Sequence, residues 1–308
     1  MNLEKLVHEL KKEKINAVLI SQNSEMIFQY YKNNKQKNKL HKLNSCTKSI
    51  LSLLIGIALE KGVLPSLDEP VSSYFPKLFS NLEDKRKLEL TLRDLITMTD
   101  GLDFPEFGEW NCFSPMVYHH DIVKFTLTRP LIHEIGTHMN YNSGCSHILS
   151  AILSQAAAMK TEEFAAKHLF NPLGIHEYRW YTDNKGINKG ADGLVLKITD
   201  MHKIGLLMLD EGRYKGNDII PLHWIRGSTA PNLLTYEYIG HYGMHWWVDK
   251  LDKTKDFSSP NTYYFALGYG GQFIFVIPGE GMAITIASDI YRDSMQPIRI
   301  IKKLLIPK

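Results

Sequence analysis

Cysteine is scarce in this chain: three in 308 residues, Cys46, Cys112 and Cys145, an odd number with no metal-ligand spacing. That argues against a disulfide framework and a thiolate metal centre, and predicts reduced thiols in a cytoplasmic protein. Long apolar runs are missing as well. The longest, around residues 50–59, is too short to span a bilayer. The opening Met1-Asn-Leu-Glu-Lys-Leu-Val-His-Glu-Leu-Lys-Lys-Glu-Lys14 has no apolar h-region and no small-residue cleavage site, so it predicts an amphipathic helix in place of a signal peptide. No membrane partner is expected. Strong net charge is absent too. The formal +3 is located in five lysines of one acid-free segment (Lys32, Lys35, Lys37, Lys39, Lys42), without which acids outnumber bases by two. The segment reads as a solvated basic tip, or else as a surface that steers an anionic substrate, and it is too local for nucleic-acid binding.

Two catalytic signatures are also missing. His119-His120 and His241-x-x-x-His245 stand without a His-Glu-x-x-His pattern, so neither a metal nor any other cofactor is expected. Gly144-Cys-Ser146-His-Ile148 lacks the second glycine of a nucleophile elbow, and no alternating βαβ pattern surrounds it, which argues against an α/β-hydrolase. Neither an internal repeat nor a low-complexity linker divides the chain.

With 44% hydrophobic and 22% charged residues, the composition is that of a globular protein with a large core. Ile15–Gln22 and Glu25–Tyr31, separated by Asn23-Ser24, predict a β-hairpin. Tyr263–Leu267, Gln272–Ile277 and Met282–Ala287 predict three more strands, the last two joined by Pro278-Gly-Glu-Gly281, and Tyr242–Val248 a fourth. A helix from Met295 to Leu305 closes the chain. The middle predicts helices: a short one opened by the capping box Thr91-x-x-Asp94 and stopping at Gly101, then Ser143–Met159, Thr161–Leu169 and Thr199–Asp210. The fold class expected is α+β: one antiparallel sheet flanked by terminal helices, with an inserted, mostly helical subdomain. Residues 1–308 would form a single catalytic domain, with an α/β part at about 1–65 and 175–308 and a helical part at about 66–174.

Ser45 and Lys48 form the only Ser-x-x-Lys pair, and they open the most apolar helix of the chain. Residues three apart share a helix face, so the amine can reach the hydroxyl. A helix N-terminus favours a developing alkoxide, and desolvation favours a neutral amine that can act as a base. Taken alone, the pair also reads as a serine N-cap beside a surface lysine. Tyr141-Asn142-Ser143 offers a phenol and a hydroxyl at the start of a helix. A tyrosine near an ammonium has its pKa lowered and can serve as a base, or Tyr141 can simply pack. Leu267-Gly-Tyr-Gly-Gly-Gln272 lies between two strands. It reads either as an edge that passes the serine and supplies an oxyanion-hole N–H, or as a glycine-rich turn.

In this order the segments resemble the serine β-lactamase/penicillin-binding-protein superfamily, most of all class C β-lactamase-related esterases, D-aminopeptidases and 6-aminohexanoate-dimer hydrolases. The signatures Ser-x-x-Lys, Tyr-x-Asn/Ser and Lys/His-x-Gly match Ser45–Lys48, Tyr141–Ser143 and, imperfectly, Tyr269-Gly270-Gly271. Leu90–Leu102, Asn171–Ile175 and Tyr242–Trp247 also look like the family. The resemblance spans about residues 15–305. It implies a β-lactamase-like fold and a serine hydrolase of small esters or amides, with Ser45 as the acylated nucleophile. Lys48 and Tyr141 would share the base's duty, and Ser143 would orient the amine or the substrate. The N–H groups of Ser45 and Gln272 would form the oxyanion hole beside Tyr269, Gly270 and Gly271. Tyr269 replaces the usual cation, which favours neutral acyl donors. The alternatives are a true β-lactamase, a D-aminopeptidase or penicillin-binding activity, or a non-catalytic penicillin-recognising protein. A small-molecule substrate is the expected partner, for a monomer or homodimer.

Overall fold

A computed structural model describes residues 3–236, 239–258 and 260–305. Strand β1 (Ile15–Gln22) turns at Asn23 and Ser24, both at positive φ (50° and 67°), into β2 (Glu25–Tyr31). Two residues in that conformation match the twist of paired strands, as the hairpin reading requires. The remaining strands of the main sheet come from the C-terminal third: β3 (Leu233–Leu234), β4 (His241–Tyr242), β5 (Trp247–Lys250), β6 (Thr262–Gly268), β7 (Gln272–Ile277) and β8 (Met282–Ser288). All pairings are antiparallel, in the order β2-β1-β8-β7-β6-β5-β4-β3. The two ends of the chain meet where Val18 lies opposite Ile286 and Ile20 opposite Ile284.

Side chains alternate across this sheet and both faces are buried, so its inner strands read as continuous apolar runs. Along β7, Phe273, Phe275 and Ile277 face one core, while Ile274 and Val276 face the other. Six helices matter here: α1 (Leu3–Lys12), α2 (Cys46–Glu60), α3 (Leu92–Thr97), α4 (Ser143–Ala157), α5 (Ile198–Leu209) and α6 (Gln296–Leu305). Leu6, Leu10 and Ile298 of the terminal helices cover the Phe273 face. Helices α2, α4 and α5 share the opposite core. Helix α2 is buried on all sides from Cys46 to Ala58, the mark of a central helix. Each buried leucine or isoleucine contributes roughly 1.5–3 kcal/mol, so the start of α2 is a rigid anchor.

Between residues 66 and 174 the described chain consists of helices and turns, with isolated bridges at Pro70–Thr91 and Leu102–Leu131. A small sheet pairs Leu40–Lys42 and Tyr178–Trp180 with Leu194–Lys197. The five lysines of residues 32–42 are exposed. No helix among the described residues is long and apolar enough to cross a membrane.

Three expectations need correction. Tyr242–Val248 is not one strand. Gly243 N–H donates to Trp246 O (2.8 Å) and His245 sits at φ 62°, so the chain turns between β4 and β5. Helix α3 has its capping box, with Asp94 Oδ2 accepting from Thr91 N–H (2.9 Å), but it ends at Met98 in the left-handed region, before Gly101. The helix from Thr161 stays α only to Ala165 and continues as a π turn over Ala166–Phe170. Met1 and Asn2 lie outside the described residues.

Candidate active site

Asn44, at φ 47°, swings the chain into α2 and leaves Ser45 at its N-cap. Asparagine is among the few side chains that enter the left-handed region readily. One turn on, Lys48 is 1% exposed. Its Nζ donates to Ser45 Oγ (3.1 Å), Ser143 Oγ (2.9 Å) and Ala191 O (3.2 Å). No carboxylate pairs directly with this lysine among the described residues. The small sheet delivers the Ala191 carbonyl, since Leu43 N–H donates to Leu194 O (3.0 Å) and Leu194 N–H to Thr47 Oγ1 (3.2 Å).

Tyr141 and Ser143 flank the N-cap of α4. Asn142 between them accepts from Gly144 N–H (2.8 Å) and donates to the buried Asp100 (3.2 Å). That anchor explains why a polar turn holds its shape beside the core. The Lys48 amine lies 4.7 Å from the Tyr141 ring centroid. The ring itself is stacked between Phe107 (5.7 Å) and Trp247 (5.6 Å). Burial pushes the Tyr141 phenol above its ordinary value; the Lys48 charge and contact with Ser45 work in the opposite direction and do not prevail. The direction is opposite to the lowering expected from the sequence.

The third segment is a turn. Gly268 at the end of β6 pairs with Gln272 at the start of β7, and Gly270 and Gly271 between them stand at φ 84° and 82°. Without a Cβ, glycine adopts such conformations without strain. The backbone that passes the nucleophile is that of Gly268 and Tyr269. A Cβ on Gly268 would fall 2.1 Å from Leu43 O, and Asn44 Nδ2 donates to Tyr269 O (2.6 Å). Among the described residues neither Ser45 N–H nor Tyr269 N–H donates to a protein acceptor. Gln272 is buried behind them. Its side-chain amide donates to Ser288 O (2.6 Å), and its carbonyl accepts from Cys46 Sγ (3.4 Å). Tyr269 is 61% exposed, and its ring leans on Tyr291.

Ser45, Lys48, Tyr141, Ser143 and Tyr269 come together; Gly270, Gly271 and Gln272 shape the turn behind them. Sequence reasoning missed Glu106, Phe107, Trp247 and Tyr236. Glu106 is buried and receives the Ser143 backbone N–H (3.0 Å) and hydroxyl (2.5 Å). Burial raises its carboxyl pKa, against the pull of Lys48 and both hydrogen bonds. Its local signal was a lone carboxylate between two phenylalanines, Phe104-Pro-Glu106-Phe107. Tyr236 accepts from Tyr141 N–H (3.1 Å) and meets Phe107 edge-on. All three cysteines are buried and free, and burial raises their thiol pKa values, so they are poor nucleophiles.

Residues 4–297 match the sequence pattern of the family described as Beta-lactamase. The chain is 25% identical over 232 residues to Beta-lactamase-like protein 2 of Dictyostelium discoideum, covering 71% of this chain and 38% of that protein. It is 22% identical over 269 residues to the 6-aminohexanoate-dimer hydrolase of Paenarthrobacter ureafaciens, covering 80% of this chain and 67% of that one. Among solved structures, EstCE1, described as a hydrolase with promiscuous acyltransferase activity, superposes with a TM-score of 0.79 at 16% identity, covering 97% of each chain. That likeness shows the fold.

Proposed function

The chain belongs to the Beta-lactamase family, and from that premise we propose that it is a serine hydrolase working through an acyl-enzyme at Ser45. One observation carries the reading. Lys48 is a buried lysine held by three neutral oxygens, one of them the Ser45 hydroxyl, with no direct ionic partner among the described residues. Lysines are rarely buried unless paired, and a buried unpaired amine beside a hydroxyl is what an activated nucleophile needs.

In this reading Ser45 Oγ gives its proton to Lys48 Nζ and bonds to the acyl carbon. The oxygen that gains charge is held by the N–H groups of Ser45 and Tyr269, both free to donate, at the positive end of α2. Tyr141 acts as a neutral phenol. It passes a proton to the departing alcohol or amine and is restored by the Lys48 ammonium. Water then releases the acyl group by the same path in reverse.

The substrates proposed are small esters or amides with neutral acyl groups. Phe107 and Tyr236 pack beside Tyr141, the exposed Tyr269 follows the backbone that meets Asn44, and Lys48 is the one basic side chain contacting Ser45, Tyr141 or Ser143 among the described residues. A substrate carboxylate would find no fixed positive partner there, a loss of about 1.5–3 kcal/mol. Incubation with a fluorophosphonate should add mass to the peptide containing Ser45, and Ser45→Ala should lower turnover of p-nitrophenyl butyrate by roughly 10³-fold or more. Undiminished turnover in that variant, or a chromogenic cephalosporin hydrolysed faster than any simple ester, would overturn the reading.

A further inference from the structure

We infer that Glu106 is a positioning residue for this reaction: through Ser143 it fixes the hydrogen bonds of the Lys48 amine and so aims the amine's lone pair at Ser45. The inference rests on the reading of Ser45 and Lys48 given above. A serine hydroxyl has one proton to donate. The Glu106 carboxylate takes it through Oε1 (2.5 Å), while Oε2 takes the Ser143 backbone N–H (3.0 Å). With its proton committed, Ser143 Oγ faces Lys48 Nζ at 2.9 Å as an acceptor. Ala191 O, at 3.2 Å, can only accept. Acting as a base, an amine has two N–H bonds and one lone pair, and these two oxygens hold both N–H bonds. The third donation, to Ser45 Oγ at 3.1 Å, is the one whose loss leaves the lone pair facing the serine.

As Ser45 Oγ bonds to the acyl carbon, its proton moves onto that lone pair and makes an ammonium. The Glu106 charge, one hydroxyl away, favours the cation as it forms. Without the carboxylate, the Ser143 hydroxyl could turn its own proton toward Lys48. The lone pair would then be engaged by Ser143, and Ser45 would face an N–H instead of a base. The next residue, Phe107, stacks on Tyr141, so one short segment braces both groups that handle the proton.

Glu106→Gln, Ser143→Ala and the double variant test this, with kcat and KM for p-nitrophenyl butyrate, the rate of Ser45 labelling by a fluorophosphonate, and thermal melting. Glu106→Gln should lower kcat and the labelling rate about 30- to 300-fold, with KM within about 3-fold, because it disturbs one proton transfer and not binding. The double variant should lie within about 3-fold of the worse single variant, since both residues act on the same step. Should Glu106→Gln not fold, Glu106→Asp, which retracts the charge by one carbon, should show a smaller fall in kcat at unchanged KM. Losses that multiply, or a lower melting temperature with kcat of the folded protein unchanged, would overturn the assignment. If the unmodified protein is not labelled at Ser45, the hydrolase reading fails and this inference with it. If it is labelled and Glu106→Gln is labelled equally fast, only the inference fails.

Discussion

Replacing Lys48 by methionine separates a catalytic lysine from a structural one. The side chain is 1% exposed and makes three hydrogen bonds, to Ser45 Oγ, Ser143 Oγ and Ala191 O. Removing the amine leaves Ala191 O without that donor, a penalty of about 1–2 kcal/mol for a buried acceptor. It also takes away a side chain whose protonated form works against the burial of Glu106. Against this, the penalty of keeping a polar amine in the interior disappears, and methionine fills the space with a flexible apolar chain. Ser143 and Glu106 remain paired with each other. These opposed effects are of similar size, so the net change in stability should be about 2 kcal/mol or less, a fall in melting temperature of roughly 5 °C or less. Activity should respond on another scale. A positioned base contributes about 10²- to 10⁴-fold, equivalent to roughly 3–5 kcal/mol in the barrier. Calorimetry together with kcat/KM for p-nitrophenyl butyrate reads both quantities on one preparation. A variant that keeps more than about a tenth of the activity would refute the role given to Lys48. So would one that unfolds while its folded remainder works normally.

Tyr141→Phe should impair amides far more than p-nitrophenyl esters, because a nitrophenolate leaves without a proton and an amine does not. Losses of about 10²-fold against under about 10-fold are expected, and equal losses in the two series would contradict proton delivery by the phenol. Gly268→Ala puts a Cβ 2.1 Å from Leu43 O and forces β6 away from Ser45. A loss of about 2 kcal/mol or more in denaturant unfolding should accompany weakened Ser45 labelling, and an unaffected protein would show that the two backbones do not meet. His202 lies buried between Ser21 Oγ (2.8 Å) and Thr285 Oγ1 (2.9 Å), and burial pushes its imidazole down from 6.5 to about 4. Between those values the unfolded chain binds a proton that the folded chain does not. Stability should therefore be full above about pH 6.5 and fall by about 3 kcal/mol toward pH 4. Melting of His202→Gln over the same range should decline less steeply, and identical slopes would rule out His202 as the cause.

The sequence by itself determined what depends on neighbours along the chain. The Ser45–Lys48 pair is one turn of one helix, and helix geometry brings amine and hydroxyl together wherever that helix sits. The Asn23-Ser24 hairpin, the Thr91–Asp94 capping box and the glycine turn at Gly270-Gly271 are equally local, since each follows from the φ angles or side-chain reach of a few consecutive residues. The fold class was legible too, because apolar runs at both ends of the chain demanded a shared sheet. Tertiary structure alone decided the rest. Glu106 meets Ser143 across 37 residues of chain, and nothing in its own stretch encodes that distance. Whether Gln272 or Tyr269 presents its N–H depends on where the turn begins relative to Leu43 and Asn44, which is a matter of register between β6 and the approach to α2. Proximity to Lys48 lowers the Tyr141 phenol, yet burial between Phe107 and Trp247 raises it further. The sign of that balance is set by how much water the folded chain excludes, a quantity that no local pattern carries.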